Sequence, residues 1–336
     1  MAAEPAINAR FDRPTPFLAD GGEPYHRPAP LKEALRTAAR VFWLSLALAP
    51  AVVADPPGPR PRPNDPMLGE QWYLFSPGDA LGSPGSVNAI EAWRHVRPAR
   101  PIVVALLDTG VNYRHPDLAA NMWKNEREIL NGKDDDGDGH VDDLNGWDFA
   151  YADDSPIDRR SRRFPEQFDH GTALASLMAA VPDNGIGTAG IGRNIKVMNL
   201  RVVGEPEAEG QVSAQLETTL PEAIRYAIRH DARVIVCCLG GLDPPEKHFG
   251  ASLKEAEAAG VLFVQAAGNQ GRNIDVSKDF NYAGVSEFLS RHANVLIVGG
   301  TARDGGLSPR MNFGKRVGSR PPASTSSPLR GTATSG

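Results

Sequence analysis

Two short runs hold the residues best suited to acid–base chemistry. LLDTG at positions 106–110 places Asp108 at the end of an apolar run, and DHGT at 169–172 places His170 at the start of a helical pattern. An imidazole titrates close to neutral pH, so His170 can act as a general base. A carboxylate beside it can fix its orientation and stabilise its charged form. Serine attack on an amide asks for such a pair, together with a hydroxyl nucleophile and donors for the developing oxyanion. Each residue alone is ordinary, since an Asp after a strand is a turn former and a His at a helix start is surface. Flanked by Thr-Gly and Gly-Thr, the two form a far more specific pair.

A second chemistry sits in DDDGDGHVDD at 134–143. Asp134, Asp136 and Asp138 alternate, Gly139 permits a sharp turn and Val141 can anchor the loop. The order D-x-D-x-D-G suits an oxygen cage for Ca²⁺. An EF-hand would place Glu at the twelfth position, where this chain has Asn145, so Asp142 or Asp143 completes the shell, with His140 among the candidate ligands. Without a cation, so many carboxylates in one loop repel one another. The reading is a structural calcium ion, with no organic cofactor. GIGTAG at 185–190 fits G-x-G-x-x-G, but a helical pattern precedes it and a strand pattern follows. A dinucleotide site needs the reverse.

The elements that must position these residues alternate. Residues 102–107 form a continuous apolar run, fit for a strand buried on both faces. Residues 169–181 read as a helix, 195–203 as an alternating strand and 213–230 as a long helix with Leu216, Leu220, Ala223, Ile224 and Ala227 at helical spacing. Strand 234–239, helix 253–259 and strands 261–267 and 294–299 follow. Alternation of this kind implies an α/β fold with a parallel sheet between helices. Active residues in such sheets gather at the carboxyl ends of strands, where Asp108 falls.

From about residue 65 to 314 the chain resembles the subtilisin family of serine peptidases. The resemblance rests on SVNAIEAW (86–93), IVVALLDTGVNYRHPDL (102–118), DHGTALASLMAA (169–180), NGIGTAGIG (184–192), IKVMNLRVV (195–203) and VQAAGNQG (264–271). It implies a three-layer subtilisin-like α/β fold with a mainly parallel central sheet. It also implies a Ser-His-Asp mechanism using Asp108 and His170, with Asn269 as oxyanion donor and a polypeptide as substrate. Two departures stand out. Ala173 replaces a second, non-catalytic His, and the substrate-binding strand ends Cys238-Leu239-Gly240 where the family has Ser-Leu-Gly. The family's serine motif, Gly-Thr-Ser-Met-Ala in type, is absent. GTATSG at 331–336 is only superficially similar. Codons for the residues from Gly318 onward are compatible, in a shifted frame, with V-A-A-P-G-V-D-I-L, the family's next segment. A frameshift near Gly318 is the hypothesis, with a catalytically inactive subtilase-like fragment or peptide-binding pseudo-peptidase as the alternative.

Composition narrows the remaining classes. A formal charge of −5 over 336 residues gives no nucleic-acid footprint. The two cysteines, Cys237 and Cys238, are adjacent, so no disulfide framework exists, and they read as buried thiols. Residues 41–54, VFWLSLALAPAVVA, follow Lys32, Arg36 and Arg40 and end on small residues, the layout of a secretory signal and too short for a comfortable membrane span. The expected organisation is a leader with a Pro/Arg-rich linker (1–65), an incomplete peptidase domain (66–317) and an off-pattern tail (318–336). The expected product is secreted or periplasmic, monomeric and without a stable membrane anchor.

Overall fold

A strand flanked by helices on both faces must be apolar throughout, and the run ending at Asp108 behaves that way. In the structure, a computed structural model, β1 (Ile102–Asp108) is buried from Val104 onward. The structure describes residues 62–95, 99–157, 170–204, 211–239, 246–278 and 282–318, all within one unit, Ala51–Gly336. Residues 1–61 of the leader, with its apolar segment 41–54, and the tail beyond Gly318 lie outside the described residues.

Five further strands join β1: β2 (Trp147–Asp148), β3 (Ile195–Arg201), β4 (Val234–Cys237), β5 (Leu262–Ala266) and β6 (Val295–Val298). They form one sheet in the order β2-β3-β1-β4-β5-β6, with every pairing parallel. Helix α1 (Ala89–His95) precedes β1, and α2 (His170–Ala179) precedes β3. Helices α3 (Gln211–Arg229), α4 (Glu246–Ala258) and α5 (Tyr282–Leu289) follow.

The layers follow from side-chain parity. Ala105 and Leu107 of β1, with Met198, Leu200, Ile235, Cys237, Phe263 and Ile297, form one core with Leu216, Leu220 and Ile224 of α3, Leu253 of α4 and Phe288 of α5. The opposite parity, Leu106 and Val197, packs beneath Ala175 and Ala179 of α2. Leu177 of α2 in turn meets a cluster built on Trp72, Phe75 and Trp93, so α1 and the segment before it form an outer cover. This is the three-layer α/β arrangement with a parallel sheet that the sequence implies.

Some boundaries differ from the sequence reading. The 195–203 run was expected to alternate, but Val197 to Arg201 are buried on both faces, because β3 lies between β2 and β1. Helix α4 starts at Glu246 rather than 253, and α5 and the two-residue β2 carry no periodic signal of their own.

Candidate active site

β1 ends on Asp108, which lies under the start of α2. The Asp108 side chain is 1% exposed and its Oδ1 accepts a 2.7 Å hydrogen bond from His170 Nδ1, whose ring is 42% exposed. The same oxygen accepts the Thr109 backbone amide at 2.8 Å. Among the described residues, Asp108 Oδ2 is buried without a hydrogen-bond partner. A buried carboxylate thus meets an imidazole that reaches solvent, at the carboxyl edge of a parallel sheet. Nδ1 bound to Asp108 fixes the ring's tautomer and orientation, and the imidazole can then take up and release a proton.

The residues flanking this pair hold it in place. Gly171 N donates to Thr109 Oγ1 at 3.1 Å, and Asn112 N donates to Thr172 Oγ1 at 2.9 Å. Each threonine thus accepts an amide from the other motif. The approach is so close that a Cβ on Gly171 would lie 2.1 Å from the Gly110 carbonyl oxygen and 3.3 Å from Asp108 Oδ1. The sequence reading treated Thr109, Gly171 and Thr172 as context only. Their signal was the symmetry of Asp-Thr-Gly and His-Gly-Thr.

Asn269 stands exposed three residues beyond the end of β5, at the same sheet edge as Asp108, with its backbone amide on Gln270 Oε1 at 2.8 Å. Cys238 follows the β4 residue paired with Leu107, which sets it alongside Asp108. Burial, with the Asp108 charge adding to it, pushes the Cys238 thiol up to about 12, and burial raises Cys237 further. Neither thiol is a thiolate at neutral pH, in keeping with two structural cysteines. Leu239 O accepts from Gln265 Nε2 at 2.9 Å, tying β4 to β5 below the cleft. Gly240 and Asp169 lie outside the described residues.

The acidic loop is organised differently. Asp134 accepts backbone amides from Gly137 (2.7 Å), Asp138 (3.2 Å) and Gly139 (2.9 Å). Donor atoms of Glu128, Asp134 and Asp136 lie within 4.8 Å of one another. Glu128, which the sequence reading missed because it precedes the acidic run, is 5% exposed and accepts from Asp135 N, Asp136 N and Asp142 N. Asp142 faces the Asn131 and Gly132 amides, while Asp143 accepts from Asn125 Nδ2 at 2.7 Å and from the Tyr226 hydroxyl. Asp138 lies between two imidazoles, His140 Nδ1 at 2.9 Å and His230 Nε2 at 2.8 Å. Burial would raise its pKa, but those hydrogen bonds outweigh burial and hold it well below the usual carboxylate range. His230, the residue just after α3, anchors the loop to that helix.

Asp117 is also fully buried, its carboxylate on Asn184 Nδ2 (2.8 Å) and Thr188 N (3.1 Å). These bonds pin the 185–190 turn, which follows α2 and precedes β3, against the loop after β1. A helix precedes this turn and a strand follows it, the order the sequence pattern implies.

Comparison with known proteins places this architecture. The family model described as the subtilase family, Peptidase S8, matches residues 99–328. The chain therefore belongs to the subtilase family. It is 29% identical over 274 residues to an extracellular basic protease of Dichelobacter nodosus, covering 77% of this chain and 41% of that protein. It is 30% identical over 162 residues to neuroendocrine convertase 2 of Rattus norvegicus, covering 48% of this chain and 22% of that one. The chain thus spans less than half the length of these relatives. Among solved structures, a protease of Pseudoalteromonas arctica superposes with a TM-score of 0.58 at 24% identity, covering 78% of this chain and 72% of that one, which supports the fold. No described helix is long and apolar enough to cross a membrane.

Proposed function

We propose that this chain carries the Asp and His of a secreted serine endopeptidase that cleaves polypeptides by a Ser-His-Asp mechanism. The observation that carries this reading is the 2.7 Å contact between a buried Asp108 and a half-exposed His170. In the proposed mechanism, His170 takes the proton from a serine hydroxyl and later gives it to the leaving amine. Asp108 holds the ring and stabilises its charged form. Asn269 donates to the oxyanion, an interaction whose loss typically costs a hundred- to a thousandfold in rate. No described serine is assigned as the nucleophile. The hypothesis of a frameshift near Gly318 places it in a segment encoded in the other frame. Extracellular export of the Dichelobacter relative supports the secreted reading.

The test combines resequencing with a fluorophosphonate probe, which labels only an activated serine. The corrected reading frame should run through V-A-A-P-G into a Gly-Thr-Ser motif, and its product should label, while the present chain should not. A corrected protein that contains the motif and stays unlabelled would sink the peptidase reading. The absent serine motif favours one other reading, an inactive subtilase-like fragment that binds peptides, and an unchanged frame would support it.

We also propose a structural calcium ion, with Glu128, Asp134 and Asp136 as its best-placed ligands. Three carboxylates with donor atoms this close are a hard-oxygen donor set that suits Ca²⁺. Bound, the ion would offset their mutual repulsion and tie the loop together. Asp138 also has donor atoms close to those of Asp136 and His230 and of His140 and Asp143, but it is bonded to two imidazoles, so those groups are the less purely oxygen-based sets. Chelator should lower the melting temperature, and added Ca²⁺ should restore it. A melting curve insensitive to both would remove the ion from the account.

A further inference from the structure

A buried carboxylate is tolerated when it is paired or when it coordinates a metal ion. Two carboxylates and an imidazole outside the proposed calcium set meet that condition in an unusual way. Asp138, His140 and Asp143 each offer one donor atom, and the three atoms lie within 4.8 Å of one another. The Asp138 and His140 side chains are 8% and 15% exposed, and Asp143 is fully buried. Among the described residues, no lysine or arginine side chain pairs with either carboxylate; the ion-pair partners of Asp138 are both histidines.

The spacing suits a coordination shell. Two ligands about 2.1 Å from one zinc-type ion stand roughly 3 Å apart, and His140 Nδ1 lies 2.9 Å from Asp138 Oδ1. Each donor is also held from behind. Asp138 Oδ2 accepts His230 Nε2 at 2.8 Å, and Asp143 accepts Asn125 Nδ2 at 2.7 Å and the Tyr226 hydroxyl. The His140 ring meets Trp147, Tyr226 and Phe149 edge-on, at centroid distances of 4.8, 5.1 and 5.6 Å. Outer partners of this kind orient the ligands of metal centres. Two further observations stand outside those bonds. His230 Nδ1 is buried without a hydrogen-bond partner among the described residues, whereas a buried histidine with a purely structural role pairs both nitrogens. A cavity of about 440 Å³ reaches His140, lined also by Glu222, Arg225, Ile228 and Arg229 of α3 and by Glu255 of α4. Arg225 pairs with Glu255 at 2.8 Å, and Glu222 offsets Arg229, so the charges of the mouth balance and do not repel a cation.

We propose that Asp138, His140 and Asp143 bind a metal ion of a different class from calcium, a zinc-type divalent transition metal. Calcium takes about six to eight oxygens. An imidazole nitrogen with two carboxylate oxygens is instead a donor set for a four-coordinate ion. Three protein donors leave a fourth position for water, which the cavity admits. Binding replaces the proton on His140 Nδ1 with the ion, and that proton leaves to solvent. The set shares no residue with Glu128, Asp134 and Asp136, so the two ions do not compete for ligands. Asp138 and Asp143 are bonded to His230 and Tyr226, at the end of α3 and within it, so the ion fastens residues 138–143 to that helix. None of this depends on the peptidase reading.

The test uses Co²⁺ as the probe, because a four-coordinate site with nitrogen gives it strong visible absorption and an oxygen-only, six-coordinate site does not. The full chain, stripped with chelator and returned to excess Ca²⁺, is titrated with Co²⁺ and then with Zn²⁺. Absorption should saturate at one Co²⁺ per chain and disappear as Zn²⁺ displaces it. His140→Gln should weaken binding roughly a hundredfold and His230→Gln, which removes an outer partner, roughly tenfold. His95→Gln, at an exposed helix end, should leave binding unchanged. Far-UV circular dichroism reports whether each variant folds. A measurement on the unaltered chain removes dependence on any variant: Zn²⁺ should protect His140 from diethyl pyrocarbonate, read by peptide mass spectrometry. Absence of saturable absorption overturns the proposal, as does absorption indifferent to His140→Gln in a folded variant. So does equal modification of His140 with and without Zn²⁺. Displacement of Co²⁺ by Ca²⁺ overturns it in favour of a calcium site that takes in these residues.

Discussion

The corner at Asp108 and the loop at 128–143 are both rich in carboxylates, and they are built on opposite principles. At the corner, residues 62 apart in sequence meet across two elements, and Asp108 Oδ1 serves one imidazole and one amide while Oδ2 has no described partner. In the loop, carboxylates accept nearby backbone amides, as in Asp134 with Gly137 and Gly139 or Asp142 with Gly132. The first arrangement aims a single charge at a single proton-carrying group. The second uses charge to hold backbone in a tight conformation. Carboxylate density is therefore a poor guide to chemistry, and the partners of each oxygen are a better one.

The comparison breaks most readily at Gly171. A Cβ there runs into the Gly110 carbonyl and crowds Asp108 Oδ1, so Gly171→Ala should destabilise by roughly 3 kcal/mol and separate His170 from Asp108. Denaturant unfolding measures the first effect. A variant as stable as wild type would mean that the corner is looser than its contacts indicate. On the loop side the largest loss should come from Tyr226→Phe. It removes the hydroxyl that donates to the buried Asp143, leaving that oxygen unpaired, for about 2 kcal/mol. Because Tyr226 belongs to α3, this variant should also make the melting temperature more sensitive to chelator. Unchanged sensitivity would separate the helix anchor from the cation site.

Much of the corner was legible in the sequence because its parts are short and local. Asp108 at the end of an apolar run and His170 at a helix start each announce their element, and pattern alone placed five of the six described strands. Only β2, two residues long, and α5 carried too little pattern to find. What the sequence did not show was partnership across distance. Nothing near DDDGDG indicates that Asp138 would be taken by His230, 92 residues on, or that Glu128 would bind three amides of the loop. Likewise the roles of Thr109 and Thr172 depend on the two motifs already facing one another.

Thr172→Val tests that facing arrangement on a smaller scale. It removes the oxygen that accepts the Asn112 amide while keeping the side chain's shape, and should cost about 1 kcal/mol. Since the bond spans 60 residues, hydrogen exchange at Asn112 should accelerate along with the loss of stability. Unaltered exchange would assign the corner's rigidity to α2 packing instead.

The smallest expected effect falls in the loop, at Gly132. Its φ is +77°, and a Cβ added there would meet nothing within 4 Å. Gly132→Ala therefore probes backbone strain alone, where Gly171→Ala probes a steric clash. The left-handed conformation costs an L-residue about 1 kcal/mol, partly recovered because alanine has less conformational freedom to lose on folding. The loop's carboxylates would keep their amide donors, since the Gly132 N–H that serves Asp142 is retained. Chelator sensitivity should accordingly match wild type, and only the unfolding midpoint should move. If Gly132→Ala instead abolished the response to Ca²⁺, the cation's seat would depend on the 131–132 turn, and Asp142 would return to the ligand set in place of Glu128.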